Sequence, residues 1–192
     1  MQKNVNPHRA KLVLVMGIFA LPVLASYLAY FVWQPQGGAR NYGALISPVT
    51  LAETLTLTTI EGAQLPLKNL RGKWLLVQVD AAACAHECEQ KMYAMRQVRL
   101  MQGAEQERVQ RLWLIADAQE PRAALKKEYD GTQWLTDPQR AVIAKLTAEG
   151  DVKQYIYMID PLGNLMMRWP ANPDIKRMFK DIERLLKASQ IG

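Results

Sequence analysis

Cysteine, histidine and acidic residues are scarce in parts of this 192-residue chain, and each shortage excludes a class of site. There are only two cysteines and two histidines, and no Asp or Glu precedes residue 44. A long apolar segment separates His8 from His86, so the outer domain has one His, and it lies beside the cysteines, which disfavours a Ser/His/Asp hydrolase site. A tetrahedral zinc site is disfavoured as well, because two Cys and two His cannot supply four ligands when His8 is across the membrane. No Thr-x-x-Cys pattern is present, which disfavours a peroxiredoxin-type peroxidase.

The formal charge of +6 comes mostly from the N-terminal quarter of the chain. Residues 1–43 contain Lys3, Arg9, Lys11 and Arg40, and the remainder has 20 bases against 18 acids. Neither a basic stripe nor a nucleic-acid-binding motif accompanies this charge. The sequence therefore predicts no nucleic-acid partner.

An uncharged segment of 22 residues runs from Leu12 to Trp33. At about 1.5 Å rise per residue, a helix of this length crosses a hydrocarbon core of about 30 Å. Three bases precede it and one follows, so the positive-inside rule predicts a cytoplasmic N-terminus at residues 1–11. We therefore predict a single-pass anchor at 12–33 in the inner (cytoplasmic) membrane, with the C-terminal part in the periplasm.

Two alternatives to an anchor remain open for this segment. A secretory signal peptide is one, because Ala25 ends a Val-Leu-Ala sequence suited to peptidase cleavage. The apolar run nevertheless continues eight residues past Ala25, which favours a retained helix. A buried helix of a soluble core is the other, and the lack of a polar stripe disfavours it.

The rest of the chain alternates strand and helix patterns. A breaker-rich linker is predicted at 34–49 and a folded domain at 50–192. Predicted strands cover 55–60, 64–67, 74–79, 111–116, 155–159 and 165–169, and predicted helices cover 84–102, 121–129, about 136–146 and 173–186. The order βαβ followed by ββα predicts an α/β, thioredoxin-like fold, with a central mixed sheet flanked by helices.

The two cysteines, Cys84 and Cys88, stand where the central strand gives way to a helix. A helix N-terminus stabilises a thiolate, which is both a nucleophile and a soft metal ligand. His86 favours the thiolate when protonated, whereas Glu87 and Glu89 oppose it. A periplasmic location permits a redox cycle between dithiol and disulfide. A permanent disulfide that only staples the loop is the alternative.

These features resemble the Sco/SenC family over roughly residues 50–188. The matching pieces are Leu-Arg-Gly-Lys-Trp at 70–74, the Cys84-x-x-x-Cys88 spacing, and Tyr-Ile-Tyr-Met-Ile-Asp-Pro-Leu-Gly at 155–163. Members of this family are membrane-anchored, thioredoxin-like proteins that assist assembly of the copper centre of cytochrome c oxidase. The resemblance therefore implies a cytochrome c oxidase subunit, or another respiratory membrane complex, as the partner.

Two positions depart from the family pattern. Glu89 stands where the family has Pro after its second cysteine, and Val152 stands where it has a distal copper-ligand His. This chain is therefore expected to be a divergent member with an incomplete copper site. Cys84 and Cys88, with His86 as a conditional third ligand, remain candidates for Cu(I), a soft ion that accepts low coordination.

Three functions follow from this resemblance. The first is thiol–disulfide exchange on the copper-site cysteines of the oxidase, with Cys84 attacking and Cys88 resolving, since the N-terminal cysteine of thioredoxin-like proteins is usually the more exposed. The second is a Cu(I) chaperone using Cys84, Cys88 and conditionally His86. The third is a non-catalytic accessory or assembly subunit that keeps the fold and a vestigial cysteine pair.

Overall fold

The computed structural model describes residues 7–31, 41–51, 54–117, 119–146, 151–189 and 191. The chain divides into two compact units, Met1–Arg40 and Asn41–Gly192. The first unit contains helix α1, Pro7–Phe31, with Pro22 inside it. Residues 32 and 33 of the predicted anchor lie outside the described residues.

Helix α1 is the one helix of the described residues that is long and apolar enough to cross a membrane. The segment Lys11–Phe31 has a mean hydropathy of 2.3. This length and composition agree with the predicted anchor.

A mixed sheet of eight strands forms the centre of the second unit. The strands are β1 Ala44–Thr50, β2 Thr56–Thr59, β3 Gln64–Pro66, β4 Trp74–Asp80, β5 Val109–Ile115, β6 Thr132–Thr136, β7 Tyr155–Ile159 and β8 Asn164–Pro170. Their spatial order is β1-β8-β7-β4-β5-β6-β2-β3. Strands β4, β5 and β6 are parallel, and the other pairings are antiparallel.

Among the described residues, four α-helices accompany the sheet. They are α2 His86–Met101, α3 Ala123–Glu128, α4 Ala141–Lys145 and α5 Ile175–Ala188. The units β4-α2-β5 and β7-β8-α5 reproduce the predicted order, which confirms the thioredoxin-like α/β fold. Asp174 caps α5 by accepting a hydrogen bond from the N–H of Arg177.

Two strands had no counterpart among the predicted elements. Strand β1 occupies residues 44–50, so the later part of the linker predicted at 34–49 belongs to the sheet; residues 34–40 lie outside the described part. Pro48 obscured this strand in the sequence, and its position agrees with the rule that a strand tolerates proline at a sheet edge. Strand β6 covers 132–136, where a helix was predicted to open at Thr136.

Asp137 caps a helix as predicted, but that helix starts later. Its carboxylate accepts hydrogen bonds from the N–H groups of Val142 and Ile143 at 2.8 Å each. Helix α4 therefore begins at Ala141, after Arg140 has adopted a left-handed conformation with φ 52°. The short span between strand and helix is a turn.

Strand β4 is buried on both faces, which explains its nearly continuous apolar run. Because side chains alternate along a strand, Leu75 and Val77 pack with α4 on one face, whereas Trp74 and Leu76 pack with α2 and α5 on the other. A third cluster lies where β4 and β5 end, and it contains both cysteines.

Candidate functional site

Cys84 and Cys88 are joined by a disulfide, with their Cα atoms 5.1 Å apart. Cys84 lies in the turn after β4, where its N–H donates to the carbonyl of Ala81 at 3.0 Å. Its φ of 44° is in the left-handed region, so α2 does not begin at Cys84 as predicted. The helix begins at His86, which makes Cys88 its third residue, within the first turn, where helix N–H groups lack helical partners.

Both cysteines are buried, with 4% of Cys84 and 2% of Cys88 exposed. They pack in one cluster with apolar side chains from α2, β5, α3 and the residue that follows α3. These side chains include Met92, Trp113, Ile115, Leu125 and Tyr129. Both cysteines are thus almost fully buried in the disulfide state, and the expected greater exposure of Cys84 is not seen.

The charged neighbours of the pair point to solvent rather than to the sulfurs. His86 is exposed, and its Nε2 lies 3.0 Å from the side-chain amide of Gln90, one turn along α2. Glu89 forms an exposed ion pair of 2.7 Å with Arg122, which precedes α3. Glu89 therefore links α2 to the start of α3, although an exposed pair contributes little stability.

The described residues do not form a complete metal centre. No group of three or more His, Cys, Asp or Glu side chains comes together among them. The geometry does not bring His86 to the sulfurs, and two sulfurs joined in a disulfide offer no thiolate. The thioether of Met92 is a third sulfur in the cluster that contains both cysteines. Met95 packs instead in the cluster that contains Trp74.

Val152, at the position of the family's distal ligand, packs in a different apolar cluster from the cysteines. It opens a short 3-10 turn, Val152–Gln154, ahead of β7. Its side chain packs against the apolar cluster on the α4 face of the sheet, whereas the cysteines belong to the third cluster. Val152 is partly buried there, and its side chain offers no metal ligand.

A buried amide lies beside Cys88 and was missed in the sequence. Gln78, on β4, is fully buried, and its Nε2 donates to Cys88 Sγ at 3.6 Å. Its Oε1 has no hydrogen-bond partner among the described residues. The available signal was that Gln78 is the one polar residue within the apolar run at 74–79, where a buried polar group requires a reason.

A buried ion pair, also missed in the sequence, stands one turn further along α2. Lys91 Nζ lies 2.5 Å from Asp80 Oδ2, and the lysine side chain is fully buried. The ammonium also donates to the carbonyls of Val79, at 3.4 Å, and Lys153. It thereby ties α2 to the end of β4 and to the turn that contains Val152. Burial raises the pKa of Asp80 and lowers the pKa of Lys91, because desolvation outweighs their mutual attraction.

Comparison with known proteins agrees with this architecture. A family model described as the transmembrane-like, thioredoxin-like, C-terminal domain matches residues 74–189. The sequence has no match among curated proteins.

Solved structures with this fold include three Sco proteins. Copper-bound yeast Sco1 is 21% identical with a TM-score of 0.62, and the match covers 74% of this chain and 96% of that one. A SCO1/SenC family lipoprotein from Bacillus anthracis is 20% identical, with a TM-score of 0.55 and coverage of 74% and 99%. BsSco, described as a Sco-family cytochrome c oxidase assembly protein with a disulfide switch, is 13% identical, with a TM-score of 0.52 and coverage of 78% and 97%. The predicted resemblance to Sco/SenC proteins is confirmed at the level of the fold.

Proposed function

The chain belongs to the family of transmembrane-like, thioredoxin-like C-terminal domains, and from this premise we propose that it is a membrane-anchored thiol–disulfide oxidoreductase. Its proposed substrate is the pair of copper-site cysteines of cytochrome c oxidase. The observation that carries the proposal is the Cys84–Cys88 disulfide at the junction of β4 and α2. A copper-related assembly role is consistent with the Sco structures that share the fold.

The exchange begins with the reduced form of this chain. The Cys84 thiolate attacks one sulfur of the partner disulfide, forms a mixed disulfide and releases the other partner sulfur, which takes up a proton. The Cys88 thiolate then attacks Cys84 Sγ, which forms the intramolecular disulfide and releases the second partner thiol. Two electrons pass to the partner, and an external dithiol reductant must return two electrons to this chain.

The position of Cys88 suits the resolving role. It lies in the first turn of α2, a helix of 16 residues whose N-terminal dipole favours an anion. Glu87 and Glu89 in the same turn reduce this effect, because they add negative charge nearby. We infer further that α1 holds the domain at the periplasmic face of the inner membrane, where disulfide exchange is feasible.

A trapping experiment tests the proposal. Full-length protein in detergent is reduced and mixed with a soluble oxidase domain whose copper-site cysteines form a disulfide. Cys88→Ser retains the attacking sulfur and lacks the resolving one, so it should accumulate a mixed disulfide; Cys84→Ser is the matched control and should not. Lack of oxidation of the wild-type pair by this substrate would refute the proposed activity.

Cu(I) transfer is a second candidate function, with copper as cargo. The observation in its favour is that Met92 adds a third sulfur to the cluster that contains Cys84 and Cys88, and sulfur donors suit Cu(I). Anaerobic Cu(I) titration of the reduced wild type, Cys84→Ala and His86→Ala measures it. Tight, near-stoichiometric binding that requires Cys84 supports cargo transfer, and weak binding rejects it.

A non-catalytic accessory subunit of a respiratory membrane complex is the third candidate. It requires a cysteine pair that only staples the turn. In that case the disulfide should resist a strong dithiol reductant, whereas an exchange protein should have a reduction potential in the range of thioredoxin-like dithiols.

A further inference from the structure

We propose that Gln78 is a positioning residue that shifts the redox equilibrium of the Cys84–Cys88 pair toward the dithiol. The inference rests on the proposed exchange function, because it concerns the same two sulfurs. The juxtaposition that carries it is a fully buried strand amide in contact with Cys88 Sγ, with its own oxygen unpartnered among the described residues.

In the disulfide state the Gln78 amide has poor hydrogen-bond partners. A disulfide sulfur is a weak acceptor and has no proton to donate. Nε2 therefore makes one long contact of 3.6 Å, and Oε1 remains without a donor in a site that water does not reach. A buried amide oxygen without a partner carries a free-energy penalty.

The reduced state gives the amide better partners. A Cys88 thiol can donate its S–H to Oε1, whereas a Cys88 thiolate accepts a stronger, charge-assisted hydrogen bond from Nε2. Rotation of the amide about its terminal torsion exchanges its two ends, so Gln78 suits both forms of the reduced sulfur. Both forms improve on the contact in the disulfide, and the amide consequently stabilises the dithiol.

Stabilisation of the dithiol raises the reduction potential of the pair. The equilibrium to measure is that with glutathione: the Cys84–Cys88 bond breaks, the bond of glutathione disulfide forms, and two protons pass from two glutathione thiols to the cysteines. One improved hydrogen bond favours the dithiol by about 3- to 10-fold in this equilibrium constant. A tenfold change corresponds to about 30 mV.

The test uses the full chain in detergent, equilibrated in glutathione redox buffers and quantified by alkylation of free thiols. Gln78→Met keeps the length of the side chain and removes both hydrogen-bonding ends. We expect the equilibrium constant for dithiol formation to fall by about 3- to 10-fold. The matched control is Gln110→Met. Gln110 also has an Oε1 without a partner among the described residues, but it lies on neighbouring β5 and faces the opposite side of the sheet from Gln78. A constant unchanged in Gln78→Met, or lowered equally in both variants, overturns the proposal.

A second measurement on the wild type keeps the test decisive if Gln78→Met does not fold. The side-chain amide resonances of Gln78 should shift on reduction, because the hydrogen bond of the amide to Cys88 changes, whereas those of Gln110 should not shift. Static Gln78 resonances overturn the proposal. Failure of the proposed exchange function can be distinguished from failure of this inference. A wild type that does not react with the oxidase substrate can still show the Gln78 effect in glutathione buffer.

Discussion

The buried pair formed by Lys91 and Asp80 allows a quantitative test of the structure. Its side chains are 0% and 14% exposed, and their charged atoms are 2.5 Å apart. Replacing one partner leaves the other charge in a site with little access to water. The remaining group then avoids its buried charge by gaining or losing a proton, and the cost of that step depends on pH.

The two single variants should respond to pH in opposite directions. In Lys91→Met, Asp80 must take up a proton, which costs about 4 kcal/mol at pH 7 and about 1.6 kcal/mol at pH 5 for an ordinary pKa of 3.8. In Asp80→Asn, Lys91 must release one, which costs about 5 kcal/mol at pH 7 and about 2 kcal/mol at pH 9 for an ordinary pKa of 10.5. These values are ceilings, because partial hydration of the remaining group lowers the penalty.

Urea unfolding of the full chain in detergent, followed by tryptophan fluorescence, measures these losses at pH 5, 7 and 9. The double variant Lys91→Met/Asp80→Asn should recover most of the stability, since neither buried charge remains. Lys187→Met removes an exposed ion pair with Glu183 and should lose less than about 0.5 kcal/mol at every pH. Single variants that match this control, or that share one pH trend, would refute the buried-pair reasoning.

Three further predictions concern other residues. Tyr157→Phe should gain up to about 1 kcal/mol in urea unfolding at pH 7, because the buried hydroxyl has no partner among the described residues. Burial raises the pKa of Tyr157 to about 12, so the folded wild type binds this proton more tightly than the unfolded chain does. Above pH 10 the wild type should therefore lose stability relative to Tyr157→Phe. Equal dependence of the unfolding free energy on pH in the two proteins would contradict this. Asp181→Ala should lower the free energy of unfolding by about 2–4 kcal/mol and accelerate amide hydrogen exchange at Gly43. The reason is that the carboxylate accepts hydrogen bonds from the Gly43 N–H and the Trp169 indole N–H. Unchanged exchange at Gly43 would argue against this role of Asp181. His86→Ala should change the rate of thiol–disulfide exchange and the Cu(I) affinity by less than about twofold, because the His86 ring is exposed and contacts Gln90. A larger change would indicate that the ring lies at the sulfurs.

The elements predicted from sequence are those with a strong local signal. The apolar run at 74–79 is β4, the turn sequence at 160–163 joins β7 to β8, and the amphipathic pattern near the C-terminus is α5. The turn is local because the carboxylate of Asp160 accepts the N–H groups of Leu162 and Asn164. Hydrophobic periodicity and turn chemistry act over a few residues, so they are readable without the fold.

Strands β1 and β6 could not be predicted from local sequence patterns. Each is defined by a distant partner: β1 pairs with β8 across more than 100 residues, and β6 pairs with β5 and β2. Strand propensity depends on the neighbours that a strand finds in the sheet, and a short polar or proline-containing segment carries little of it alone.

The sequence by itself determined the apolar helix, the order of strands and helices, the spacing of Cys84 and Cys88, and the valine at position 152, because these depend on composition and local periodicity. Only the tertiary structure decided which groups surround the sulfurs. It packs Gln78 against Cys88, pairs Lys91 with Asp80, and leaves His86 in solvent. These contacts join β4 to α2, and their strength comes from burial, which exists only after the sheet and helix have packed together.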